Sequence, residues 1–330
     1  MPSLEHYISI VNTEITQNFL TSIDEPKELY KPIEYILSNG GKRIRAVMTL
    51  ISANLFTEDI SKALAPAIGI EVFHNFTLLH DDIMDKATIR RGNQTVHLKW
   101  DENTAILSGD AMMILANKLI AEAPIDALVP VLQTFNQTAL EVCEGQQYDM
   151  NLEQKDILKL TISESEYLEM IKLKTSVLIG ASLKVGALCG GASIEQANIL
   201  YNYGINIGLA FQIQDDLLDT FGNEADFGKR IGGDIIEGKK TYLLIIALEN
   251  ASTVDASTLK ATINRTDISE EEKISIIKSI YIKTKAKEIA EKKIEQYFET
   301  AKKFLDQLNL TNEKLTAIIQ LETSLKKRIK

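Results

Sequence analysis

Ile68-Gly69-Ile70-Glu71-Val72-Phe73-His74-Asn75-Phe76-Thr77-Leu78-Leu79-His80-Asp81-Asp82-Ile83-Met84-Asp85 is the stretch that decides how this chain folds. Ile68, Val72, Phe73, Phe76, Leu79 and Ile83 recur at the period of a helix with one buried face. The run closes on three aspartates. Asp215-Asp216-Leu217-Leu218-Asp219 repeats their spacing after a second helical run through Leu200, Tyr203, Ile207, Phe211 and either Gln214 or Leu218. In each copy the outer acids are four residues apart, which stacks two carboxylates on one helix face. Like charges so placed repel and weaken a helix unless a cation neutralises them. Carboxylates with water suit Mg²⁺, which is typically held by one or two carboxylates and by phosphate oxygens of a substrate. Two such patches suit a small metal cluster and a diphosphate held between two helices. A solvated acidic face is the competing reading for one copy. A second copy with the same spacing, again in Leu/Ile-rich surroundings, weighs against it.

The rest of the chain sets bounds. Its 330 residues are 45% hydrophobic, enough for a sizeable core. The net charge of −10 argues against nucleic acid as a partner. Cys143 and Cys189 are far apart, in no Cys-x-x-Cys pattern, and read as buried thiols of a reducing compartment. Residues 1–20 lack the apolar core of a signal peptide, and no apolar run approaches a membrane span. A cytoplasmic protein is expected.

No proline follows Pro130 and no glycine follows Gly238, which favours long helices in the C-terminal part. Clear alternating strands are absent. Breaks are few: Ser38-Asn39-Gly40-Gly41 enters a helix, Arg91-Gly92-Asn93 ends the helix of the first acidic motif, Gly190-Gly191-Ala192-Ser193 parts two helices, and residues 221–240 form a charged, glycine-rich loop. No stretch marks a domain boundary. A single all-α domain over residues 1–330 follows, a helical bundle with the two motifs meeting across its interior. Residues 260–330 read as amphipathic helices, and the basic end at residues 326–330 either frays or folds over an anionic site.

Basic groups gather near the glycines and the acids. Gly40-Gly41 ahead of Lys42, Arg43 and Arg45 makes an anion site at a helix start, with Lys42 and Arg45 on one face. Arg90-Arg91 follows the first motif, and arginine forks suit phosphate oxygens, although a solvated pair is commoner. Lys174-Thr175 lies in the mostly apolar run 170–178, where a lone Lys usually snorkels. Gln212 precedes the second motif by one turn, and Lys229 and Lys239 follow in the glycine-rich loop. His74, two turns before Asp81, shares its face. Glu71-x-x-His74 has no second copy, so a di-iron bundle is disfavoured. Metal and cations around a diphosphate make it a good leaving group, because they stabilise the charge as it develops. A nucleophilic triad is not apparent.

Taken in order, Gly40-Gly41-Lys42, Leu78 to Asp85, Arg90-Arg91-Gly92, Lys174-Thr175, Phe211-Gln212 within Gly208 to Asp219, and Gly238-Lys239 resemble the trans-isoprenyl (polyprenyl) diphosphate synthases, short-chain type. The resemblance covers residues 40–241. It implies an isoprenoid-synthase-type bundle around a central cavity, a homodimer, and head-to-tail condensation of isopentenyl diphosphate with an allylic diphosphate (dimethylallyl, geranyl or farnesyl). It implies Mg²⁺, three ions per site once substrate is bound. By position, Asp81, Asp82, Asp85, Asp215, Asp216 and Asp219 are the metal-motif residues, with Asp81, Asp85 and Asp215 as direct ligands. Arg90, Lys174, Lys229 and Lys239 hold the allylic diphosphate. Lys42, Arg45, His74 and Arg91 hold isopentenyl diphosphate. Thr175 and Gln212, with the backbone of Lys174, face the developing allylic cation. Ala46 stands where the family often has Pro.

Chain length is read from the helix before Asp81. At helical rise Phe76 lies about 7–8 Å, and Phe73 roughly 12 Å, below that residue. Both suit ordinary core, but the family's use of the Phe76 position as a floor makes it a stop for the growing tail. Thr77 is small where many farnesyl-producing relatives carry a second aromatic. A C20 product is favoured over C15. The rival readings are a longer-chain synthase, a class I terpene cyclase and a non-catalytic subunit. The complete second acidic motif weighs against the last two.

Overall fold

The computed structural model describes residues 2–159, 161–222 and 231–326. The chain is all-α as expected. Helices α1 (Leu4–Thr13), α2 (Lys27–Ser38), α3 (Ile44–Asn54) and α4 (Leu64–Met84) lead into a hairpin of β1 (Ile89–Arg90) and β2 (Asn93–Gln94). Then come α5 (Val96–Lys99), α6 (Glu102–Ile120), α7 (Leu128–Gln154), α8 (Glu164–Ile171), α9 (Val177–Cys189) and α10 (Ile194–Phe221). Helices Gly233–Glu237, Tyr242–Asn250, Thr253–Ile263, Glu270–Lys283, Ala286–Asp306 and Asn312–Lys326 complete the described set. None of the described helices is long and apolar enough to cross a membrane.

Three expectations are corrected below. The longest described helices are α10 with 28 residues and α7 with 27, and the C-terminal part holds long helices of 14, 21 and 15 residues as expected. There, Thr241, Ser252 and Ser269 start new helices by accepting a backbone N–H three residues on, so capping divides the chain where glycine and proline do not. The helix of the first motif ends at Met84, and Arg91-Gly92-Asn93 belongs to the hairpin. Arg91 and Gly92 both take positive φ (52° and 76°), the backbone of a two-residue hairpin turn. The segment 221–240 contains the short helix Gly233–Glu237. Cys189 is buried, but Cys143 is exposed.

The chain groups into two compact units. The first comprises Met1–Gln137, Ala181–Tyr201 and Asn309–Leu321. Its spine is α4, packed on α2, α3 and α6. The α4–α6 pair is antiparallel and closes on small residues at both ends. A Cβ on Gly69 would lie 3.0 Å from the Ala116 carbonyl oxygen, and one on Gly109 would lie 2.2 Å from His80 Nε2. Helix α3 is seated on residues 186 and 190, one turn apart, where added Cβ atoms would meet the backbones of Thr49 and Ala53. Ser52 Oγ donates to the Leu183 carbonyl at 2.5 Å.

The second unit comprises Thr138–Gly180, Asn202–Leu308 and Glu322–Lys330. Ser163 opens α8 with a reciprocal capping box to Glu166. Between α8 and α9 the chain makes a π-helical turn, Lys172–Ser176. Two glycines press on it. A Cβ on Gly145 would lie 2.2 Å from the Lys174 amide nitrogen, and one on Gly208 would lie 2.7 Å from Ser176 Cα.

The seat of α3 gives a stability test. A Cβ on Gly186 would lie 2.0 Å from the Thr49 carbonyl oxygen, and backbone cannot yield as a flexible side chain can. Gly186→Ala should destabilise the protein by roughly 1–3 kcal/mol or more, the cost of overpacking. A denaturant midpoint equal to that of the parent would show that the helices separate without penalty.

Candidate active site

In the first unit the functional side chains are organised by two buried polar residues of α4, Glu71 and Asn75. Glu71 Oε1 lies 3.4 Å from the Arg43 guanidinium. Arg43 also donates to Asn12 Oδ1 and the Leu37 carbonyl, and it caps α3 in the left-handed conformation (φ 49°). Asn75 Nδ2 donates to the Glu71 carbonyl at 2.8 Å. Its Oδ1 accepts from Arg91 at 3.4 Å, and Arg91 donates to the Gly40 carbonyl at 2.5 Å. Gly41 is required where it stands. Its φ is 126°, and a Cβ there would lie 3.0 Å from the Arg91 guanidinium.

Arg45 Nη1 lies 3.0 Å from His74 Nε2. Arginine only donates, so this histidine nitrogen accepts and carries no proton. Burial, then Arg45, Arg91, Arg90 and Arg43, hold His74 well below the usual histidine range. Burial also lowers Arg45, to about 10, so it stays charged at neutral pH. Its Nε is buried without a hydrogen-bond partner among the described residues. Arg45, His74 and Arg91 thus lie close together. Lys42 is exposed and lies before the helix begins, so helical periodicity does not place it on a face with Arg45. Arg43, expected with Lys42 and Arg45 in an anion site, is instead buried against Glu71, and Glu71 and Asn75 were not singled out as site residues. The one available sign was a Glu with no second Glu-x-x-His, an acid in an apolar run in need of a buried partner.

The first acidic motif divides by role. Asp82 is buried and accepts from Arg90 Nε at 2.7 Å. Burial raises its carboxyl above the usual range and Arg90 offsets part of that. The hairpin brings Arg90 back onto the helix end, helped by Thr95 Oγ1 donating to the Ala87 carbonyl at 2.7 Å. Asp81 is half-buried and Asp85 exposed, joined through an Asp85 N–H to Asp81 carbonyl bond of 2.8 Å. Below them on α4, the Phe76 ring stands 5.5 Å from Phe73 and 4.8 Å from His80. Thr77 Oγ1 donates to the His74 carbonyl at 2.8 Å.

The second unit shares the buried central acid, but its outer acid Asp219 is buried too. Asp216 is buried, and its Oδ2 accepts from Tyr167 Oη at 2.5 Å and the Tyr242 amide at 2.9 Å. Burial pushes it up to about 7. Asp219 accepts from the Asp234 amide at 3.0 Å and is pushed up to about 6 by burial and then Asp234. Asp215 is half-buried. Lys174, on the π-helical turn, donates to Asp149 at 2.6 Å. Thr175 Oγ1 and Gln212 Oε1 are 3.4 Å apart. Lys239 sits 2.9 Å from Glu237 and 3.4 Å from Asp234. Asp149, Asp234, Glu237, Tyr167 and Tyr242 carry no motif and are found only through the fold. Lys229 and the basic end at 327–330 lie outside the described residues.

Among the described residues no three His, Cys, Asp or Glu side chains close on one point. Carboxylates such as half-buried Asp81 and exposed Asp85 nevertheless fit Mg²⁺, which keeps waters and takes phosphate oxygens rather than an all-protein cage.

The description "Polyprenyl synthetase" belongs to the family whose pattern matches residues 26–281. A geranylgeranyl pyrophosphate synthase of Geoglobus acetivorans is 41% identical over 299 residues, 90% of this chain and 89% of that protein. A crystal structure of a geranylgeranyl pyrophosphate synthase superposes with a TM-score of 0.92 at 41% identity, covering 100% of both chains. The geranylgeranyl pyrophosphate synthase of Corynebacterium glutamicum, complexed with isoprenyl diphosphate and magnesium, gives 0.86 at 28% identity over 99% of this chain and 100% of that one.

His74 makes stability depend on pH. Its folded pKa is depressed below an unfolded value near 6.5, so the unfolded state takes the proton first. The stabilisation is present above that value and is lost as pH falls below it, approaching about 1.4 kcal/mol per pH unit. Denaturant unfolding at pH 7.5 and 5.5 should show a smaller drop for His74→Gln than for the parent. Equal drops would mean that His74 titrates alike in both states.

Proposed function

This chain belongs to the polyprenyl synthetase family and is a trans-prenyltransferase, and on that premise we propose how its residues act. The reaction joins isopentenyl diphosphate head-to-tail to an allylic diphosphate and gives a short-chain all-trans product, with C20 favoured. The observation that carries the reading is the buried central acid that the two acidic motifs share. The central acids, Asp82 and Asp216, are consumed by protein partners. Asp81 and Asp215 are half-buried and Asp85 is exposed, and in this reading an ion and a diphosphate reach them.

In this reading Asp81, Asp85 and Asp215 hold Mg²⁺, three ions per site with substrate. Bound Mg²⁺ neutralises charge as the allylic diphosphate leaves. Arg90, aimed by Asp82, grips that diphosphate together with Lys174, Lys229 and Lys239. Its phosphate oxygens compete with Asp149, Asp234 and Glu237 for the two described lysines. Arg45 and Arg91 bind isopentenyl diphosphate with Lys42. His74 serves as the neutral acceptor that fixes the Arg45 fork, so three cations face the anion rather than four. The Thr175 and Gln212 oxygens stabilise the allylic cation. The departing diphosphate takes the proton after the C–C bond forms. Phe76 stops the growing tail, backed by Phe73. The enzyme works as a cytoplasmic homodimer, in a single domain.

Purified protein with Mg²⁺, isopentenyl diphosphate in excess and each of the three short primers should yield mainly C20 product, and Phe76→Ala should lengthen it. A dominant C40 product from the parent would overturn the short-chain reading, and an unchanged distribution in the variant would remove Phe76 as the floor. The two acid roles separate by titration. Asp81→Asn should raise the Mg²⁺ concentration at half-maximal rate by about tenfold, one charged ligand's worth. Asp82→Asn should instead raise KM for the allylic diphosphate with a smaller change in Mg²⁺ demand. Indistinguishable Mg²⁺ curves for the two variants would contradict the division.

A further inference from the structure

We infer that His80 is a positioning residue for product length, holding the Phe76 ring in place from a seat on α6 that Gly109 leaves open. The inference rests on the reading of Phe76 as the floor.

Four rings run in series through the first unit. Phe135 stands 5.3 Å from Phe73, Phe73 stands 5.5 Å from Phe76, and Phe76 stands 4.8 Å from His80 in an edge arrangement. One end is fixed by the core, since Phe73 and Phe135 are fully buried. The other end is fixed by polarity. His80 Nε2 lies 3.2 Å from the Ile106 carbonyl oxygen, a group that accepts only, so the bond requires the proton on Nε2. The imidazole occupies the space above Gly109, where an added Cβ would lie 2.2 Å from Nε2 and 2.5 Å from Cδ2. Any other residue at 109 would evict the ring.

Phe76 and His80 are one helical turn apart, so the imidazole covers the side of the Phe76 ring nearest the acidic motif. Without it, Phe76 keeps one aromatic neighbour, Phe73, and is free to swing toward the vacated seat. A floor that swings lets longer tails pass. His80 is adjacent to Asp81 in sequence, yet it points to α6 and acts on the tail rather than on the diphosphate.

The test measures product lengths for His80→Ala and His80→Gln, each in the parent and in Phe76→Ala, with melting temperatures alongside. In the parent background both variants should raise the ratio of products beyond C20 to C20 by on the order of 2- to 10-fold, the worth of one ring–ring contact. In the Phe76→Ala background they should add nothing. His80→Gln can keep a bond to the Ile106 carbonyl without the ring, because its amide N–H reaches as far as the imidazole Nε2, so it guards against simple loss of folding. A parent-like distribution in both variants overturns the inference, as does lengthening of equal size with and without Phe76. Loss of condensation by both at an unchanged melting temperature also overturns it, by placing His80 in the chemistry itself. A failure of Phe76→Ala alone to lengthen product would instead remove the floor on which the inference stands.

Discussion

A single buried carboxylate, Glu71, supports the basic half of the site. Arg43, Arg45, Arg90 and Arg91 all act on His74, and close to α4 the negative groups set against them are Glu71 and Asp82. Buried charges are costly, and breaking one such pair typically costs about 3–5 kcal/mol because it strands the survivor. Glu71 anchors Arg43, and through Asn75 it positions Arg91, which ties down the Gly40 carbonyl. That leaves the Arg45 side of the cluster short of negative charge, and neutral His74 adds none. Burial first, and then that surplus of positive charge, keeps His74 unprotonated.

The acidic motifs solve a related problem. Three acids within five residues would repel one another if all faced one ion. In each copy the fold removes the middle acid from the set, giving Asp82 to Arg90 and Asp216 to Tyr167 and the Tyr242 amide. The central aspartates thereby become joints between elements. Asp82 docks a hairpin on a helix end, and Asp216 docks the start of the helix Tyr242–Asn250.

Much of this was legible in advance. Apolar periodicity marks α4 and α10, the glycines mark the approach to α3, and the spacing of the acids marks both metal motifs. The failures have specific causes. Arg90 and Arg91 read as a continuation of the helix, because a two-residue turn at Arg91-Gly92 leaves almost no compositional trace. Lys42 read as helical because nothing local announces that Arg43 adopts a left-handed backbone. The π-helical turn at Lys174-Thr175 has no local signature, since it is shaped by the approach of Gly145 and Gly208 from elsewhere in the unit.

By itself the sequence determined the helical class, the two carboxylate patches, the cations near them and the family, because period and spacing are properties of a chain along its own axis. Only the tertiary structure decided which acid of each motif is an anchor, which arginine is buried support, and that an imidazole rests above Gly109 against Phe76. Those are matters of who meets whom. Burial and partner choice depend on close packing between distant segments, and no local pattern encodes the atom on the far side of a contact.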